Sequence, residues 1–178
     1  MKKKSLIIIF LSILNSFFSQ NLFAKNQCTQ SEIINLRIFE KNNYKLYSYS
    51  CNTSEGIYLK NFLGNSNKRI FLNEFADFAA KESPELLAVS VYKARTPKPP
   101  ILITIHRAYY CCTPQLEGNI YKVNLYQIIG NKNNFSIRDV TNIFGENSEG
   151  FEGQSEGQVF YKYKNIASIK EWLEVNYK

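Results

Sequence analysis

The chain has 178 residues, 44% of them hydrophobic and 21% charged, the size and composition of a globular domain and not of a disordered, collagenous or coiled-coil chain. Its formal charge of +7 includes Lys2, Lys3 and Lys4, which belong to a removable leader, so the mature chain carries +4. That small excess is scattered and shows no aromatic-basic alternation, so no nucleic-acid partner is expected.

The three lysines precede an apolar run from Leu6 to Leu14 broken only by Ser12, the basic and hydrophobic regions of a secretory signal. Extended to Phe18 the run covers 13 residues, well short of the roughly 20 apolar residues that a membrane-spanning helix needs. Cleavage is expected after Ala24, leaving 1–24 as signal peptide and 25–178 as a single α+β domain. Lys25, Asn26 and Gln27, before Cys28, lack the small apolar residues of a lipoprotein cleavage site. No membrane anchor is expected after cleavage, and the compartment is periplasmic or extracellular.

All four cysteines, Cys28, Cys51, Cys111 and Cys112, follow the leader, and an even count in an exported chain favours disulfides. Three connectivities are open. A Cys28–Cys51 bond beside a vicinal Cys111–Cys112 bond is preferred, since the former closes a loop worth about 3 kcal/mol in the chain-entropy description. A zinc site needs spaced cysteine pairs and usually histidines; His106 is the sole histidine. Neither metal nor cofactor is expected.

The segments Ile34 to Glu40 and Lys45 to Cys51 alternate in polarity, and Asn42-Asn43 between them suits a tight hairpin turn. That turn would pair Glu40 with Lys45, Ile38 with Tyr47, Leu36 with Tyr49 and Ile34 with Cys51. Ile57 to Phe62 and Lys68 to Leu72 read as a second pair of strands. Asn73 then reads as a helix cap, with Phe75, Phe78 and Ala79 at helical spacing before Ser83-Pro84. Three longer strands follow, with Leu87, Val89 and Val91, then Ile101, Ile103 and Ile105, then Tyr121, Val123 and Leu125 on one shared face. Phe135 to Ile137 and Val159 to Tyr163 read as further strands, and Asp139 to Phe144 as a short helical turn. From Asn165 to Tyr177, Ile166, Ile169, Leu173 and Tyr177 form an apolar stripe behind an Asn165 cap, with Trp172 beside it. The expected architecture is a twisted antiparallel β-sheet meander with two helices packed on one face.

Chemistry-bearing patterns are sparse. A Cys-His centre would use His106 with Cys111 or Cys112, but an oxidising compartment ties up thiols, and a half-exposed sheet histidine is the plainer expectation. Glu146, Glu149, Glu152 and Glu156 fall in the four-glycine segment Gly145 to Gly157, which reads as a flexible loop too soft to hold catalytic acids. With Phe151 at its centre, this loop is a candidate contact for a basic cleft on a partner protein. Tyr109 and Tyr110 form a second candidate contact. No signature rises above an exported α+β domain. The expected function is non-catalytic binding of another protein, of an inhibitor or immunity type directed at a toxin or cell-wall enzyme, with a small envelope enzyme as the alternative.

Overall fold

The computed structural model describes residues 27–39, 44–95, 97–113, 116–131 and 134–177; the expected leader and the Asn42-Asn43 turn lie outside them. Strands β1 (Cys28–Leu36), β2 (Tyr44–Asn52), β3 (Ile57–Gly64) and β4 (Arg69–Ala76) form an antiparallel four-stranded sheet in that order. A six-stranded sheet follows, built from β5 (Glu85–Tyr92), β6 (Ile101–Thr113), β7 (Leu116–Gly130), β8 (Phe135–Asp139), β9 (Glu149–Ser155) and β10 (Gln158–Val159). Its order is β10-β9-β7-β6-β5, with β8 also paired to β7. A 3-10 segment over Thr141–Ser148 and helix α1 (Ile166–Asn176) complete the described secondary structure.

The layers follow from strand alternation. Ile101, Ile103, Ile105, Val123 and Leu125 point to one face of the six-stranded sheet and pack with Phe144, Ile169 and Leu173. Leu102, Tyr126 and Ile128 point the other way and pack with Leu36, Leu46, Leu59 and Leu63 of the four-stranded sheet. The six-stranded sheet is therefore a middle layer. Every residue from Ile101 to His106 is buried, which explains why β6 reads as a nearly unbroken apolar run.

The antiparallel α+β character holds, but the single meander does not, because the first four strands make a sheet of their own. The helix expected after Asn73 is also absent. Instead Asn73 to Ala76 extend β4, pairing Asn73 with Asn61, Glu74 with Lys60 and Phe75 with Leu59. A local cap preference is worth about 1 kcal/mol; burying Phe75 between the sheets outweighs it.

The first hairpin takes another register. Leu36 faces Tyr44, Ile34 faces Leu46 and Ile33 faces Tyr47, so the expected pairs of Ile38 with Tyr47 and Leu36 with Tyr49 do not form. This register puts Leu36, Tyr44 and Leu46 together in the core between the sheets, while Ile38 leaves the ladder and buries in the same core. Because side chains alternate, burial of one face decides the register. Cys28 lies opposite Cys51, and the two are bonded across the strands, as preferred from sequence.

In β5, a register shift between Leu86 and Ala88 breaks the expected alignment. Val89 and Val91 pair with Thr104 and Leu102 and so join the core opposite to that of Ile103. The segment after Val159 is not strand; β10 ends there. At the C-terminus the reading holds. The Asn165 side chain accepts a hydrogen bond from the Ser168 backbone N–H at 3.0 Å, Ile169 and Leu173 are fully buried, and Trp172 packs edge-on against Phe144 at 4.7 Å.

Candidate functional site

His106 is 0% exposed, not half-exposed, because the four-stranded sheet covers its face of β6. Its Nε2 lies 2.9 Å from the Asn61 amide nitrogen, which also donates to Asn73 Oδ1 at 2.9 Å. Asn73 in turn donates to Asn124 Oδ1 at 2.9 Å. Three amides thus bridge the two sheets and end on the imidazole. An amide N–H facing Nε2 makes that nitrogen the acceptor, while His106 Nδ1 and Asn61 Oδ1 are buried with no hydrogen-bond partner among the described residues. Burial, and secondarily the charge of Lys122, lower the His106 pKa to about 4, so the ring is neutral at neutral pH.

Cys111 and Cys112 are bonded to each other, and among the described residues no cysteine is free. Five strand residues at ~3.3 Å each place Cys111 roughly 16 Å along β6 from His106. The structure therefore does not bring together the Cys-His pair of the alternative, enzymatic reading. The two cysteines occupy a bulge at the end of β6, where the ladder shifts between Tyr110 and Thr113, and Cys112 has φ of +76°.

The glutamate-bearing segment is ordered secondary structure. Glu149–Ser155 is β9, paired with β7 from Leu116 to Lys122. Glu149 and Phe151 face Lys122 and Ile120, whereas Glu152 faces Asn119 on the opposite side of the sheet, where it pairs with Lys164. Glu146 belongs to the 3-10 segment and Glu156 to the turn before β10. The carboxylates do not converge around Phe151, which is itself half-buried. Glycine serves packing here: a Cβ on Gly150 would strike the Tyr161 ring.

Tyr109 and Tyr110 likewise point to opposite faces of β6. The Tyr109 hydroxyl donates to Glu117 at 3.2 Å. Tyr110 packs against the core between the sheets, and burial followed by its hydrogen bond to Asp77 pushes its pKa up to about 12.

The outer face of the four-stranded sheet holds what the sequence did not disclose. Paired residues share a face, and the pairings run Ile33 to Tyr47, Tyr47 to Phe62 and Phe62 to Phe71, an apolar row across all four strands. Phe71 is 50% and Ile33 45% exposed. Tyr49 stands beside Phe62 at 5.8 Å and Phe62 beside Phe71 at 5.7 Å, both edge to face. Arg69 reaches across this face above Gly64, where a Cβ would meet its Cγ. Its guanidinium stacks 4.0 Å from the Tyr47 ring centre and donates from Nη1 to the Tyr49 hydroxyl at 2.7 Å. Lys45 and Lys60 lie on the same face, and Lys60 is paired with Glu74 at 2.8 Å.

Sequence reading missed this cluster because its members come from four strands and become neighbours only in the observed register. The available signal was the recurrence of aromatic residues at alternate positions, Tyr47 with Tyr49. Among the described residues no helix is long and apolar enough to cross a membrane, and no group of side chains is arranged to hold a metal ion. No protein-family model, curated protein or solved structure matched the chain.

Proposed function

We propose that the chain is an exported, non-catalytic binding protein that recognises another protein through the outer face of its four-stranded sheet. The observation that carries this reading is the outer-face row Ile33, Tyr47, Phe62 and Phe71, exposed at its two ends Ile33 and Phe71, with Arg69 laid over the buried Tyr47. Aromatic and arginine side chains dominate binding energy at protein interfaces, around an apolar centre with a polar rim. The rings meet edge to face, so they offer edges and gaps more than the open parallel faces on which nucleobases stack. Apolar side chains of a protein fit such a surface better.

The two disulfides fit an oxidising compartment. Export with cleavage near Ala24 to the periplasm or medium belongs to the same proposal. So does an inhibitor or immunity role against a toxin or cell-wall enzyme. The test places a photoreactive residue at Phe71 and, in a second variant, at the exposed Glu171 of α1, with each exported in cells that meet neighbouring bacterial secretions. One protein crosslinked from position 71 and not from 171 is the expected result. Equal labelling from both positions, or labelling from 171 alone, would overturn the reading.

A further inference from the structure

The arginine on this face is positioned for a specific kind of contact. Tyr47 holds its guanidinium over the ring by a cation–π contact and Tyr49 holds it by one hydrogen bond. A guanidinium has five N–H donors, and no carboxylate among the described residues pairs with Arg69. A cation already held by its neighbours loses little side-chain freedom when it binds, so its affinity goes into the new contact.

Beside it lies a surface pocket of about 300 Å³ lined by Cys28, Tyr49, Lys60, Phe62 and Arg69. Its walls are two aromatic rings and the cysteine of the Cys28–Cys51 disulfide, and its two cations differ in state. Lys60 is neutralised by Glu74, which leaves Arg69 as the one cation of the pocket lining without a carboxylate partner among the described residues. One charge and a forked donor suit a monoanionic carboxylate, whereas a phosphate dianion is ordinarily met by clustered cations.

The geometry points to the Arg69 pocket as a receptor for an acidic side chain of the partner protein that is adjacent in sequence to an apolar one, the carboxylate meeting the guanidinium and the apolar group entering between Tyr49 and Phe62. This rests on the binding-face reading and specifies the chemistry it recognises. Tyr47 and Tyr49 act as positioning residues, and Phe62 as the wall of the apolar subsite.

The test uses end-capped tetrapeptides that carry Leu or Phe next to Glu, with Gln counterparts, titrated into the isotope-labelled mature protein and followed by NMR. Saturable shifts are expected at Tyr49, Phe62 and the Arg69 Nε, with the Gln peptides at least tenfold weaker. In Arg69→Gln that preference should vanish, and in Phe62→Ala both peptides should weaken, each with an otherwise unchanged spectrum. Inorganic phosphate is the competitor. No saturable binding at millimolar peptide, equal binding of Glu and Gln peptides, or displacement by phosphate at concentrations below the peptide's own would each overturn the inference. Should the peptides fail while crosslinking stays confined to Phe71, the pocket is wrong and the binding face stands; if crosslinking also leaves Phe71, both fall.

Discussion

The amide nitrogen of Asn61 on β3 meets Nε2 of His106 on β6 at 2.9 Å, joining the two sheets through a histidine that is 0% exposed. Phe75 covers the ring at 5.0 Å between centres. Charging this imidazole would bury a cation against an amide donor and an aromatic ring.

That arrangement makes stability depend on pH. The folded-state pKa is lowered from 6.5 to about 4, so between those values the unfolded chain binds more protons and folding weakens as pH falls. The contribution is intact above the unfolded value, falls by about 2 kcal/mol between pH 7 and pH 5, and is exhausted below about 4. Denaturant midpoints of the wild type and His106→Gln, compared over pH 7 to 5, isolate it from the carboxylates. The wild type should lose stability and the variant should not; parallel slopes would contradict the buried neutral histidine.

The observed register of the first hairpin buries the face of β2 opposite to the one that the sequence pairing would bury. Leu46 is fully buried between the sheets, so Leu46→Ala should cost about 2 to 5 kcal/mol. Tyr49, on the outer face, should cost less than about 1 kcal/mol when replaced by Ala. Chemical denaturation measures both. A larger loss for Tyr49→Ala would restore the shifted pairing in which Tyr49 opposes Leu36.

Gly150 lies beneath the Tyr161 ring, whose hydroxyl donates to the Asn147 carbonyl at 2.5 Å. Gly150→Ala should therefore destabilise by about 1 to 3 kcal/mol through overpacking. In a flexible loop the same change would be neutral, or stabilising by about 0.4 to 1 kcal/mol through the unfolded state. The sign of the shift in unfolding midpoint decides between them.

These residues also show where sequence reading succeeds and fails. Helix α1 was legible because cap and stripe agree within a dozen residues, and the Ile103 and Ile105 face of β6 because alternation is local. The other face of β6 and β7 carries Thr104, His106 and Asn124, of which His106 reads from sequence as half-exposed. The four-stranded sheet covers all three, Asn61 and Asn73 meeting His106 and Asn124 from it, and polar groups paired across layers leave no local sign of burial. The glycines of residues 145–157 looked like flexibility, yet Gly150 and Gly153 mark close packing instead. The aromatic face was hidden for a related reason, since its row is assembled from β1 to β4 by a register that the first turn did not determine.

The binding face is tested most directly by partner affinity once a partner has been crosslinked and isolated. Phe71→Ala combined with Ile33→Ala removes the most exposed part of the apolar row without touching either core. Affinity should fall at least tenfold, mainly through faster dissociation, while Phe151→Ala with Glu149→Gln on the six-stranded sheet should leave it within about twofold. Unchanged affinity in the first variant together with a tenfold loss in the second would contradict the account and place recognition on β9.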